Sequence, residues 1–190
     1  MIKVAARTII GGGVVVYPTE TVYGLGANAL DEQAILRVFQ IKKRPLSMPI
    51  FLAVSSFEML ESVAKVGPQD RSILEQLMPG PVSVLVPKKN VVPNMLTACS
   101  SLVGIRFPDH EIALRIIDAA GPITSTSANR TGFAPPTSVQ EISTEIADRV
   151  DGILDGGVCR YSQPSTLLDL SNKKIIRQGA ELQKVLKAIS

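Results

Sequence analysis

Val14-Val15-Val16-Tyr17-Pro18-Thr19-Glu20-Thr21-Val22-Tyr23-Gly24-Leu25-Gly26-Ala27-Asn28 changes character at its fifth residue. Three β-branched residues and a Tyr, directly after Gly11-Gly12-Gly13, read as a buried strand. Pro18 ends it, because a proline has no N–H to give to a sheet ladder. Hydroxyls and one carboxylate follow, with Gly24 and Gly26 permitting unusual backbone angles or close approach. Two readings stand for this polar segment: a turn that only connects two elements, or a ligand site. Open α/β folds place ligands where a segment leaves the end of a strand, and hydroxyls this dense favour a site.

Working outward, Ile2 to Ile10 has the apolar spacing of a short helix, ended by the glycines. Downstream, Asp31 is placed to cap a helix running through Ile41, with Ala34, Ile35, Val38 and Phe39 inward. Pro45 bars its continuation. Strands are expected over Pro49 to Val54, Val82 to Val86, Leu102 to Phe107, Ile123 to Thr126 and Gly152 to Leu154. Helices are expected over Phe57 to Val66, Asp70 to Met78 and His110 to Ala120, and in a segment carrying Val139, Ile142, Ile146 and Val150. Thr166 to Leu170 and Lys174 to Arg177 read as a hairpin, and Ala180 to Ile189 as a closing helix. Interleaved strands and helices without a linker or repeat predict one α/β domain over residues 1–190, with a mixed sheet. The Pro-Gly turns and the late hairpin argue against a purely parallel, doubly wound sheet.

A chain of 190 residues, 45% hydrophobic, can bury one substantial core. No apolar run approaches the roughly 18 residues that span a membrane, and the polar start (Lys3, Arg7) has no signal-peptide cleavage pattern. A cytoplasmic protein is expected. Two cysteines, Cys99 and Cys159, are too few and too far apart for a disulfide framework or a zinc site. A net charge of +3 permits an anionic substrate without announcing nucleic-acid binding. With 4% aromatics and no Trp, little is available to stack bases on an exposed platform.

Two clusters could carry chemistry. Lys42-Lys43-Arg44 suits an exposed helix C-terminus, where cations meet the macrodipole; held rigid by Pro45, it also suits phosphate recognition, for which Arg offers a planar fork. Thr124-Ser125-Thr126-Ser127-Ala128-Asn129 packs four hydroxyls and an amide at a strand exit. Such residues cap and turn chains, and they also suit phosphate oxygens. The single histidine, His110, sits beside Asp109 and reads as a helix-start residue, not a general base. There is no Gly-x-x-x-x-Gly-Lys-Ser/Thr loop, no complete dinucleotide fingerprint and no supported Ser-His-Asp set. An enzyme built this way works by positioning and charge neutralisation.

Taken together in order, Tyr17-Pro-Thr-Glu-Thr-Val-Tyr-Gly-Leu-Gly26, Lys42-x-Arg44-Pro45, Met78-Pro-Gly-Pro81, Gly104-Ile-Arg-Phe-Pro108, Ser127-Ala-Asn129, Asp155-Gly-Gly157, Pro164-Ser-Thr166, Ile176-Arg177 and Gly179 form a specific set. The chain resembles the YrdC-like family of threonylcarbamoyl-AMP synthases over nearly its full length. The resemblance implies a twisted, open α/β sheet flanked by helices, with a concave basic face. It implies a nucleotidyltransferase that converts L-threonine, bicarbonate and ATP into threonylcarbamoyl-adenylate and pyrophosphate. A separate tRNA threonylcarbamoyl transferase complex would then modify the adenosine beside the anticodon. Magnesium would arrive with ATP, with no tightly bound cofactor and no protein-held metal.

By that resemblance, Lys42 and Arg44 hold ATP phosphates and act catalytically, Ser127 and Asn129 join them at the nucleotide, and Arg177 meets the adenylate. Thr21 falls at a threonine-binding position, and Arg106 pairs with the substrate carboxylate, helped by Ser125 and Ser165. Two positions depart from the family pattern and bear on threonine selectivity: Ala53 stands where some members carry His, and Pro164 where many carry Glu. Larger relatives append a second domain, so this chain is expected to hold the catalytic domain alone. The competing expectation is a module that binds tRNA or double-stranded RNA on a basic concave face without catalysis.

Overall fold

The computed structural model describes residues 1–190 and forms one nine-stranded sheet with helices on both faces. Along the chain come α1 (Ile2–Ile10), β1 (Val15–Tyr17), β2 (Gly24–Gly26), α2 (Glu32–Lys42), β3 (Phe51–Ala53), α3 (Phe57–Val63), α4 (Pro68–Leu77), β4 (Val82–Pro87) and β5 (Leu102–Arg106). They are followed by α5 (Glu111–Ala120), β6 (Ile123–Ser127), α6 (Thr144–Ala147), β7 (Gly152–Ile153), β8 (Thr166–Asp169), β9 (Lys174–Arg177) and α7 (Leu182–Ile189). The spatial order is β7-β1-β2-β6-β3-β5-β4-β8-β9. Three pairs are parallel (β1 with β7, β3 with β5, β4 with β8) and the other five antiparallel, so the sheet is mixed as expected. No helix is long and apolar enough to cross a membrane.

The run Val14-Val15-Val16-Tyr17 is continuously apolar because β1 is buried on both faces. Val14 and Val16 join a core of 35 buried residues under α2, α3, α4 and α7. Val15 and Tyr17 point the other way, into a smaller core of 10 with Ile9 of α1 and Ile116 and Ile117 of α5. Each such side chain taken fully out of water stabilises the fold by about 1.5–3 kcal/mol. The second layer ends with α1 and α5, which pack on each other. Beyond it, Ser125, Phe51, Arg106 and Ser83, which face the same side by strand alternation, are left to floor a cleft.

Two sequence expectations differ from the structure. No continuous helix carries Val139, Ile142, Ile146 and Val150. A 3-10 turn, Val139–Glu141, ends at Ile142 in an extended conformation, and Ser143 restarts the one-turn α6. The β-branched pair Ile142 and Thr144 flanking Ser143 disfavours helix there. The second difference is β2. Gly24-Leu25-Gly26 is a strand between β1 and β6, fully buried. Its glycines admit the Tyr17 ring, since a Cβ on Gly24 would lie 3.0 Å from Tyr17 Cε1. The remaining helices and strands fall where expected, with no boundary shifted by more than three residues.

Candidate functional site

Three consecutive cations at the end of α2 go three ways, and the helix terminus explains it. Asp31 caps the start, accepting from the N–H groups of Gln33 at 2.8 Å and Ala34 at 3.4 Å. At the other end Lys43 turns left-handed (φ 48°) and Arg44 N–H returns to Phe39 O at 2.9 Å. Lys42, still helical, therefore points inward. The residue is 2% exposed, and its Nζ donates to the carbonyls of Ser127 and, at 2.7 Å, Asn129. Burial, with the nearby Arg44 second, pushes its pKa down to about 7. Lys43 points outward to Glu145 at 2.5 Å. Arg44 turns into the cleft, its Nε on Met48 O at 3.0 Å and its Nη2 on Pro49 O at 2.8 Å.

The cleft encloses about 220 Å³. On one wall, Thr19 organises the turn after Pro18: its hydroxyl donates to Val22 O at 2.6 Å and pairs with Thr21 Oγ1 at 2.9 Å. Thr21 Oγ1 also accepts from Arg106 Nη2 at 3.3 Å. Glu20 faces the same guanidinium, with Oε1 accepting from Arg106 Nη2 at 2.7 Å and from Asp109 N–H at 2.9 Å. Both side chains are out of water, and Arg106 Nη1 and Glu20 Oε2 have no partner within the protein. Pairing aligns the strands beneath: Ser83 on β4 lies opposite Arg106 on β5. Ser83 Oγ meets Ser165 Oγ at 2.8 Å, and Arg177 Nη2 reaches Ser165 O at 2.9 Å and Ser165 Oγ at 3.1 Å. A row of guanidinium, hydroxyl, hydroxyl, guanidinium thus crosses from β5 to β9.

Of the residues expected at the site, Thr21, Arg44, Arg106, Ser125, Ser127, Ser165 and Arg177 line this one cleft. Lys42 and Asn129 do not; Asn129 Nδ2 holds the carbonyls of Arg130 at 3.0 Å and Phe133 at 2.6 Å, which fixes the loop behind Ser127. Sequence reasoning missed Ser83, Glu20 and Phe51. Ser83 and Phe51 sit in apolar strand patterns and carry no local signal. The one available signal for Glu20 was a carboxylate set in a segment whose neighbours are all apolar or hydroxylic. Ala53 is buried in the second core rather than facing the cleft, while Pro164 lines it.

Phe51 reaches the cleft floor because Gly104 beside it has no side chain. A Cβ there would come within 2.1 Å of Phe51 Cδ1. Gly104→Ala is expected to force the ring out and to cost about 1–3 kcal/mol in thermal unfolding, as overpacking does. An unchanged unfolding temperature would show that the ring moves freely.

Proton-transfer groups are scarce. Burial pushes the Tyr17 hydroxyl up to about 12, and it donates to Thr124 O. Burial likewise raises the Cys159 thiol to about 11, so it is no nucleophile near neutrality. His110 occupies the N-cap position of α5, lies outside the cleft lining, and burial lowers its pKa. No group of three or more His, Cys, Asp or Glu side chains is placed to hold a metal, and Glu20 is committed to Arg106 and Asp109. The residues present therefore do not form a carboxylate cage for magnesium. What the cleft offers is fixed cations and hydroxyls: it can hold and align anions.

Comparison with known proteins follows the same lines. The Sua5_yciO_yrdC family model, described as telomere recombination, matches residues 7–179. The threonylcarbamoyl-AMP synthase of Pyrococcus abyssi is 40% identical over 97% of this chain, which spans 57% of that protein's length. That of Cellvibrio japonicus is 32% identical over 93% of this chain and 94% of its own. Among solved structures, P. abyssi Sua5 complexed with L-threonine superposes with a TM-score of 0.94, at 40% identity, over 100% of this chain and 57% of that one. Escherichia coli YciO superposes with a TM-score of 0.84 at 28% identity, over 94% and 89%. With a family model covering residues 7–179 and a relative at 32% identity covered over 94% of its length, the chain belongs to the Sua5/YciO/YrdC family.

Proposed function

We propose that this chain makes threonylcarbamoyl-AMP from L-threonine, bicarbonate and ATP, releasing pyrophosphate. The observation that carries the reading is the gathering of Thr21, Arg106, Ser125 and Ser165 into the same cleft as Arg44, Ser127 and Arg177. Relatives bearing the synthase name, and a relative solved with L-threonine bound, support it. On this reading Arg106 Nη1 donates to the threonine carboxylate, and the Thr21, Ser125 and Ser165 hydroxyls surround its polar groups. The threonine ammonium gives up one proton to solvent, and the free amine attacks the bicarbonate carbon; the C–OH bond breaks and the hydroxide leaves with a second nitrogen proton as water. A carbamate oxygen then attacks the α-phosphorus of ATP as the bond to pyrophosphate breaks. Arg44 and Arg177 neutralise the phosphates, Ser127 holds the nucleotide, and Lys42 and Asn129 fix the Ser127 loop from behind. Magnesium enters with ATP, carried by phosphate and water. The product passes to a separate transferase acting on tRNA.

Pyrophosphate release by the purified protein is expected to require both L-threonine and bicarbonate. L-Serine is expected to be much poorer, since one missing methyl is worth about 1–3 kcal/mol. Release independent of L-threonine would remove the proposal; equal turnover of L-serine would remove the threonine seat.

A further inference from the structure

Three guanidiniums line the cleft, and only one has a carboxylate. Arg106 is paired with Glu20 at 2.7 Å, the two side chains 4% and 2% exposed. Arg44 and Arg177 form no ion pair and are held by neutral oxygens: the carbonyls of Met48 and Pro49 for one, the carbonyl and hydroxyl of Ser165 for the other. Arg106 and Arg177 are close enough to feel each other, the second cause, after burial, of the lowered Arg177 pKa. The guanidiniums of one small cleft thus differ in charge balance: Arg106 already has a buried carboxylate, while Arg44 and Arg177 have none.

We infer that Glu20 is the specificity residue that sorts anions within the cleft, keeping phosphate away from Arg106 and reserving that guanidinium for the carboxylate of a zwitterionic amino acid. An amino acid brings its own ammonium, so it seats against a neutral ion pair without accumulating charge. A phosphate brings only negative charge and meets the Glu20 carboxylate behind Arg106, in a place too dry for water to screen it. At Arg44 or Arg177 the same phosphate finds a cation with no carboxylate against it. Glu20 is a positioning group as well, because Oε1 fixes Nη2 against Thr21 and leaves Nη1 as the free donor. No direct contact of Glu20 with substrate is required.

The inference rests on the proposed seating of threonine at Arg106, and the experiment keeps the two apart. Binding of inorganic phosphate and of L-threonine is measured by calorimetry for the wild type, Glu20→Gln and the double variant Glu20→Gln/Arg106→Gln, with KM values where turnover is seen. In the wild type, phosphate is expected to displace ATP and not L-threonine. In Glu20→Gln, phosphate is expected to displace L-threonine too, raising its apparent Kd about tenfold or more, with the KM for ATP changed far less. Glu20→Gln should also bind one phosphate more than the wild type, and the double variant should lose it. A merely structural role would raise both KM values together and add no phosphate. Because Glu20→Gln strands a buried guanidinium, its folding is checked by thermal unfolding, and the wild-type competition can overturn the sorting without it. Phosphate displacing L-threonine from the wild type, or no added phosphate in a folded Glu20→Gln, overturns the sorting. A wild type that binds phosphate and never L-threonine overturns the proposed reaction, while the phosphate count still tests Glu20.

Discussion

Arg44→Ala is expected to lower kcat/KM for ATP by roughly one to three orders of magnitude while leaving the protein folded. Charge-assisted hydrogen bonds are worth about 1.5–3 kcal/mol each, and about 1.36 kcal/mol is tenfold in rate. The loss should exceed that of an average surface arginine because Arg44 does not have to be ordered on binding. Two carbonyls of the turn that follows, Met48 O and Pro49 O, already hold its Nε and Nη2, which leaves Nη1 without a protein partner at the cleft wall. No carboxylate competes for it. Arg44→Lys should recover only part of the activity, since an ammonium keeps the charge and loses the fork. Stability should change little, because the guanidinium contacts a turn and not the apolar core. The measurement is paired: steady-state kinetics with ATP, and thermal unfolding of the same preparation. Full activity in Arg44→Ala would remove the phosphate role; an unfolded variant would make Arg44 a brace for the 45–49 turn instead.

Most of the fold is legible in the sequence because its elements announce themselves locally. Asp31 caps, Pro18 and Pro45 stop, and the apolar run from Val14 to Tyr17 demands a sheet with two covered faces. What was not legible depends on contacts distant in sequence. The strand β2 is three residues of glycine and leucine, whose glycines leave the room that the Tyr17 ring fills. The segment around Ile142 has helical spacing, yet its β-branched residues break it into two single turns.

The site divides in the same way. Hydroxyls and arginines were visible as types, and most of them meet in one cleft. The direction of each side chain was not visible. Lys42 and Arg44 are two residues apart and read as partners, yet the left-handed Lys43 between them sends one inward and the other to the cleft. Ser83 belongs to the site only because β4 pairs with β5 and β8 in one particular register. Glu20 gains its partner across 86 residues of chain. Pairwise chemistry of this kind becomes readable only when the sheet order is known.

The buried Lys42 makes stability itself pH-dependent in a direction opposite to that of most proteins' basic limb. Its side chain is 2% exposed, and burial first, Arg44 second, pushes its pKa from 10.5 down to about 7. Below about pH 7 the folded and unfolded chains both hold the proton, and the cost of burying the charge is fully present. Between about pH 7 and 10.5 the unfolded chain still holds a proton that the folded chain has released, so stability rises with pH, by at most about 1.4 kcal/mol per unit. Four groups act the other way at higher pH: Cys159, Tyr17, Tyr23 and Tyr161, all raised, burial being the first cause for each. Cys159, raised from 9.0 to about 11, and Tyr17, raised from 10.0 to about 12, keep protons in the folded chain that the unfolded chain loses. Their effect begins near pH 9, while His110, lowered from 6.5, acts only below that value. The window from pH 7 to 9 therefore belongs to Lys42. Urea unfolding of the wild type should show stability rising there by about 1–2 kcal/mol, and Lys42→Met should be nearly flat. The loop need not loosen as the proton leaves, because a neutral amine still has two N–H groups for the carbonyls of Ser127 and Asn129. A wild type whose stability is flat or falling over this window, or a Lys42→Met variant that keeps the rise, would mean that Lys42 stays charged in the folded protein, with the two carbonyls outweighing its desolvation.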